Sequence, residues 1–390
     1  MNKKLVAVAV AGLLGAPLAA QAQTANVTLY GRLNVNFEAV NGAQTPDVNG
    51  HQSNPLVTRL SSNSSRFGIR GIESLGGGLS AIFQIESSIN GDTNSGNLGG
   101  RETFVGFQGG WGTFKVGQFL MPLDDMHPIF GNVPTYLTSI LSTADLWTQG
   151  TYNKFDGGFD ERLGNSLRYD SPSFSGLTFS GQISLRDSSG TAGEGNFGSH
   201  AAELRHAYVL GGNAIYNNGP IQIGAAFETN QKVRGPDLND TDLTLTGGYN
   251  FGVIRVAGLY EYLKYDTPTG DLKRNMWGVS GTMPMGPGTW YAFYGRAGDG
   301  RGSALDGTRV GGLTRGSDTG SSQWELSYTY PFSKRTQVYA GYVKLDNDRN
   351  AAYTFNINAY TANTSCTTSQ ATCGENGKPG GFVLGMIHLF

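Results

Sequence analysis

The sequence is poor in most of what a soluble enzyme or a helical membrane protein uses. Charged residues make up only 15% of it, against roughly 25% in an ordinary soluble domain. Past residue 22 no apolar run approaches the ~20 residues that a membrane-crossing helix needs, which excludes a helical-bundle membrane protein. The net charge is −2, and loss of Lys3 and Lys4 with a leader would make the balance more acidic, so nothing supports nucleic-acid binding. Histidine is scarce, and none of His51, His127, His200, His206 and His388 lies close in sequence to the cysteines. No metal site and no cofactor is expected on that spacing. No serine stands in a nucleophile-elbow pattern, which argues against a barrel hydrolase or any other nucleophilic enzyme. There are only two cysteines, Cys366 and Cys373, close together in a Thr/Ser/Asn-rich stretch. In an exported chain that pair predicts a loop disulfide.

Export is what the first residues indicate. Lys3 and Lys4 precede an apolar run from Leu5 to Ala20, and Ala20-Gln21-Ala22 is a small-x-small cleavage site. The expected organisation is a signal peptide over residues 1–22 and one domain over residues 23–390.

That domain shows a period of two. From Val27 to Ala39 the residues Val27, Leu29, Gly31, Leu33, Val35, Phe37 and Ala39 share one face, and Thr28, Tyr30, Arg32, Asn34, Asn36 and Glu38 share the other. Successive strand side chains point to opposite faces, so this sorting suits a strand between lipid and water. The rhythm returns in Leu79–Glu86 and Ile221–Glu228, whereas Gln337–Asp346 reads in either phase. In the last stretch, Gly381–Phe390, both faces are apolar, which points either to a subunit contact or to a lumen covered by a loop.

Short connections with turn chemistry alternate with longer polar ones. The short ones are Ser74–Gly78, Gly109–Gly112, Ser171–Gly176, Asn217–Pro220, Asn250–Gly252, Met285–Gly288 and Pro331–Lys334. Between them fall residues 41–63, 89–101, 119–161, 187–202, 230–240, 266–271, 297–319 and 347–378. Seven turns joining eight outward hairpins predict an all-β, sixteen-stranded antiparallel transmembrane barrel, with short periplasmic turns and long outer loops. Trp111, Phe174, Tyr216, Tyr249, Phe251, Tyr330 and Phe332 gather beside the turns, as an interfacial aromatic girdle would. Closure also removes the exposed edges that an open sheet of such strands would carry.

Several stretches, in order, resemble the general trimeric porins of Gram-negative outer membranes, in particular the neisserial and betaproteobacterial branch. They are Val27-Thr28-Leu29-Tyr30-Gly31-Arg32, Ser65 to Gly71 with Leu75 to Leu79, the Gly-x-x-x-x-Gly stretch from Gly112 to Gly117, and Asn165 to Pro172. The resemblance implies a homotrimer among outer-membrane lipid and lipopolysaccharide. It also implies an inward-folded third loop, here residues 119–161, and a terminal aromatic residue, Phe390, read by the barrel-assembly machinery. Among basic positions it singles out Arg32, Arg66 and Arg162 at the constriction. Gln118 stands where the family usually has Arg, and Ile129 where many relatives have Glu.

A channel works through the field across its water-filled constriction. Strand phase adds Arg70, Lys115 and Arg168 to the basic side, with Arg162, Ser166 and Arg168 read on one face. The third loop offers Asp124, Asp125, Asp145, Asp156, Asp160 and Glu161 on the acidic side. These arginines could instead pair with wall carboxylates such as Glu38 and Glu86. The expected function is passive diffusion of small hydrophilic solutes and ions with a preference for anions. A substrate-specific channel and a plugged structural or adhesive barrel are the alternatives.

Overall fold

A computed structural model of the protein describes residues 26–42, 45–46, 52–53, 56–93, 95–132, 135, 139–147, 158–159, 161–185, 207–232, 237–355 and 375–390. The expected leader, residues 1–22, and both Cys366 and Cys373 lie outside the described residues, as do Asp156 and Asp160.

Sixteen strands form one closed antiparallel sheet. They are β1 (Asn26–Asn41), β2 (Val57–Ser62 and Arg66–Gly76), β3 (Leu79–Asn90), β4 (Thr103–Gly109), β5 (Gly112–Leu120), β6 (Arg162–Asp170), β7 (Leu177–Leu185) and β8 (Tyr208–Asn218). The second half holds β9 (Ile221–Gln231), β10 (Asn239–Asn250), β11 (Arg255–Thr267), β12 (Gly270–Met285), β13 (Gly288–Ala297), β14 (Ser321–Pro331), β15 (Thr336–Asn347) and β16 (Gly380–Leu389). Each strand pairs with its successor. The seam runs from Arg32 opposite Leu389 to Asn41 opposite Gly380, so every strand has two neighbours. Beyond β16, Phe390 and Gly31 exchange both backbone hydrogen bonds, at 3.0 and 3.1 Å. The Phe390 ring lies where a Gly31 side chain would be, so a larger residue there would displace the ring.

All seven turns stand where the sequence places them. The connection at residues 266–271, read as one of the longer outer links, is tight instead. Strand β11 runs on to Thr267 and β12 resumes at Gly270, because Asp266 pairs opposite Asp271 and the ladder continues to the tip.

The alternation sorts as expected for a wall with lipid outside. In β1, Leu33, Val35 and Phe37 are exposed, while Asn34, Asn36 and Glu38 are buried inside. The turn end carries stacked or tilted rings such as Trp111 on Tyr169 and Tyr249 on Phe251. A second set, Trp324, Tyr342 and Phe382, lies nearer the loop end.

The two stretches with ambiguous patterns resolve together. Inside β15 the residues Tyr339, Val343 and Leu345 are buried, and inside β16 so are Val383 and Ile387. Ile140 and Leu141 of the third loop join them in one apolar cluster. The inner apolar face of β16 is therefore the seat of a loop, and Ile387 is not part of a subunit contact. Phe382, Leu384 and Met386 form its exposed outer face.

An arginine on the outer face has to be desolvated by the bilayer, whereas the inner face is polar already. Leu33→Arg is expected to lower folding stability by about 2–4 kcal/mol if it sits near the bilayer midplane, measured by denaturant titration in lipid vesicles.

Candidate functional site: the lumen and its constriction

The third loop leaves β5 after Leu120 and returns at Arg162. It opens with a 3₁₀ turn, Asp124–Met126, and a one-turn helix α1, His127–Phe130, followed by 3₁₀ turns at Ser139–Leu141 and Thr143–Asp145. Its apolar side chains Leu123, Met126, Ile129, Phe130, Leu146 and Trp147 are buried against the inner wall of the barrel's second half. That wall supplies Leu259, Met276, Tyr291 and Phe293 to the same cluster. Burial on this scale drives the loop inward, at roughly 1.5–3 kcal/mol for each large apolar side chain fully removed from water.

Polar wall residues then hold the loop by its backbone. Asn213 donates to the Pro122 carbonyl at 2.6 Å, Ser280 to Phe130 at 2.7 Å, Gln323 to Ser142 at 2.9 Å and Asn230 to Gly158 at 2.9 Å. The Trp147 ring N–H donates to Thr244 at 3.2 Å. A piece of the eighth outer loop adds to the filling. Tyr353 and Phe355 are fully buried, and the Tyr353 hydroxyl meets the buried Arg274, itself paired with Glu261. Loop matter thus lines the wall from β8 to β16 and reaches Val40 at the loop end of β1, leaving Arg32 and much of the β2–β6 wall toward the channel.

That wall is rich in guanidinium groups. Arg32 and Arg66 stand directly opposite each other on β1 and β2. Arg70, two residues further along the inner face, is exposed, and its guanidinium lies 5.1 Å from the centre of the Tyr30 ring. It forms no ion pair among the described residues. Glu86 of β3 collects the charges around it. It accepts from Arg101 at 2.6 Å and from the Tyr30 hydroxyl at 2.9 Å, and Arg66 lies 3.6 Å away. Arg162 falls within the electrostatic reach of Arg101, Glu102, Asp124 and Glu86.

Arg101 did not stand out in the sequence, because it closes a polar loop and precedes the first clear alternation of β4. Gln118 donates to the Arg101 carbonyl at 2.9 Å. A cation thus stands beside Gln118 all the same, carried by the loop that leads into the preceding strand β4. Strand β6 also departs from the one-face reading of Arg162, Ser166 and Arg168. Leu163 pairs with Phe119 and Ser166 with Gly117, so a bulge at Asn165 (φ 51°) shifts the phase. Leu163, not Arg162, shares the buried side of Ser166 and Arg168.

Two of the basic candidates are held in pairs. Arg168 is nearly buried, donating to Asp125 at 2.6 Å, to Asp170 at 2.7 Å and to the Leu120 carbonyl at 3.1 Å. Lys115 lies 2.9 Å from Asp170 and over the rings of Phe104 and Phe119. Asp125 also accepts from Asn213 at 2.7 Å. On the acidic side Asp145 is fully buried and accepts from Gln323 at 2.8 Å, while Asp124 remains partly exposed. Ile129 is buried in the docking surface of α1. Glu38, a possible partner for the candidate arginines, pairs instead with Arg59 at 2.7 Å.

Arg168 therefore fastens the start of the third loop to the wall. Arg168→Gln leaves Asp125 and Asp170 with weaker partners. An expected loss of about 2–3 kcal/mol, lower than for a fully buried pair because Asp125 is partly exposed, is checked by thermal or denaturant unfolding. Single-channel records of the variant should show added flicker from the loosened loop.

Comparison with known proteins agrees with this architecture. The family model described as Gram-negative porin matches residues 6–350. The chain is 28% identical to outer membrane porin protein 32 of Delftia acidovorans over 89% of this chain and 90% of that one. It is 30% identical to the major outer membrane protein P.IB of Neisseria sicca, over 88% of this chain and 94% of that one. Among solved structures, the anion-selective porin from Comamonas acidovorans superposes with a TM-score of 0.68 at 24% identity, covering 94% of this chain and all of that one. A sixteen-stranded barrel with apolar outer face, inward third loop and charged lumen wall, matched by this family along most of its length, belongs to the Gram-negative porins: it is an outer-membrane channel for small hydrophilic solutes and not an enzyme.

Proposed function

We propose that the pore prefers anions and that Arg32, Arg66, Arg70, Arg101 and Arg162 form the basic side of its constriction. One observation carries this reading. The guanidiniums gather on the part of the β1–β6 wall left uncovered by the loops, while two third-loop carboxylates are engaged elsewhere, Asp125 by Arg168 and Asp145 by Gln323. Glu86 offsets part of the charge but is shared by Arg66 and Arg101. Arginine keeps its charge at every pH the outer membrane meets. The relative from Comamonas acidovorans, described as anion-selective, is in keeping with this reading.

The remaining assignments belong to the same proposal. The functional unit is a homotrimer in outer-membrane lipid and lipopolysaccharide, residues 1–22 are removed on export, and Phe390 is the residue read by the barrel-assembly machinery. Cys366 and Cys373 form a disulfide in the eighth outer loop. Native-state mass measurement tests the trimer, for which a monomer under mild detergent would be the contrary result. N-terminal sequencing should begin at Gln23.

Reversal potentials of the purified protein in a potassium chloride gradient test the selectivity. The expected sign is that of chloride, and a cation-selective wild type overturns the assignment. A unit charge about 5 Å from a permeating ion in water is worth roughly 0.8 kcal/mol, attracting chloride and repelling potassium alike, so Arg66→Gln should lower the chloride-to-potassium permeability ratio by roughly an order of magnitude. Arg168→Gln should move it less, because that charge is already neutralised by two carboxylates.

A further inference from the structure

Below α1, toward the periplasmic turns, the inner wall holds a cavity of about 370 Å³ that the constriction does not use. Its roof is third-loop backbone around Pro128, Gly131 and Asn132. Its walls come from the turn-proximal ends of β9 and β11 to β15, which contribute Gln222, Arg255, Thr282, Thr289, Thr329 and Gln337. Every one of these six is polar, and no carboxylate lines the space. The volume falls within the range of small-molecule sites.

Two features indicate an occupant of definite chemistry. Arg255 brings a full positive charge, and its bonds go to neutral oxygens, the Ile129 carbonyl and the Gln222 side chain at 2.9 Å. Among the described residues it has no ion pair. Gly248 leaves room for the guanidinium to lie flat, since a side chain there would come within 2.6 Å of it. The second feature is Thr329. It is 7% exposed, lines the cavity, and its hydroxyl has no hydrogen-bond partner. A buried hydroxyl left unpaired costs about 1–3 kcal/mol, and a ligand hydroxyl would recover it. Thr289 lies directly opposite Thr329 in the ladder, and Thr282 directly opposite Arg255, so hydroxyls and the cation form one continuous patch.

We propose that this cavity is a binding site for a small polyhydroxylated anion, with the oxyanion on Arg255 and the hydroxyl groups on Thr282, Thr289, Thr329, Gln222 and Gln337. Sugar acids and sugar phosphates share that chemistry. The guanidinium supplies the charge-assisted bonds, and the threonines and amides distinguish a polyol from a bare anion. The site lies beyond the constriction on the periplasmic side, so it would hold a solute that has already passed the arginine wall.

The test uses the purified full-length protein in detergent, with gluconate, glucose 6-phosphate, glucose and acetate as probes in calorimetric titration. Gluconate or glucose 6-phosphate is expected to bind at least tenfold more tightly than glucose or acetate, and which of the two is tighter identifies the source. Arg255→Gln should weaken that binding at least tenfold, and Thr329→Val by about threefold. Equal binding of acetate and gluconate, or gluconate and glucose 6-phosphate affinities untouched by both substitutions, overturns the proposal. If Arg255→Gln does not assemble, Thr329→Val decides alone, with unchanged affinity counting against the site. Reversal potentials in potassium chloride report on the constriction and not on this cavity, so failure of one reading is distinguishable from failure of the other.

Discussion

Everything in this molecule depends on the hydrogen bonding of its backbone in a medium that offers no substitute partners. An unpaired peptide group in hydrocarbon costs several kcal/mol, so a sheet that crosses a bilayer has to close on itself. Here closure is the seam between β1 and β16, ten paired positions long, extended by the mutual bonds of Gly31 and Phe390. Once the ring is closed, each strand has a committed inner and outer face. The two-residue period then fixes which side chains meet lipid and which meet the lumen.

The interior so created is wide enough to take in chain, and the third loop occupies it for ordinary reasons of apolar burial. Half of the inner wall consequently departs from the polar lining that the period-two rule suggests. Tyr291, Phe293, Val343 and Ile387 face inward because Phe130, Ile140, Leu141 and Trp147 press on them. The other half keeps its charges in water. The asymmetry of the channel, one wall of arginines and one wall of docked loop, thus follows from where the loop found an apolar seat.

This division also explains what could be read from the chain beforehand. The strand count, the turns and the lipid face of β1 were legible, since each depends on local alternation or on turn chemistry at known spacing. The phase of β15 and the apolar inner face of β16 were not, because they answer to residues 140 and 141, some two hundred positions away. Arg101 was hidden for another reason: it precedes the regular part of its strand, where alternation gives no phase. Strand phase misplaces Arg162, because the bulge at Asn165 breaks the two-residue period. The alternation puts Arg168 and Lys115 on the inner face, but whether an inner-face cation meets water or a carboxylate depends on Asp125 and Asp170, and pairing across strands is not written in either strand alone.

The wall grips the third loop chiefly through carbonyl oxygens: Pro122, Phe130, Ser142 and Gly158 all accept from side chains of the barrel. A carbonyl is the same whatever residue carries it. The scaffold therefore recognises the loop's path and is largely indifferent to its solvent-facing side chains, which can drift through substitution while the loop stays docked. A lineage of such channels can change the charge and width of its opening one loop residue at a time, without rebuilding the wall that holds it.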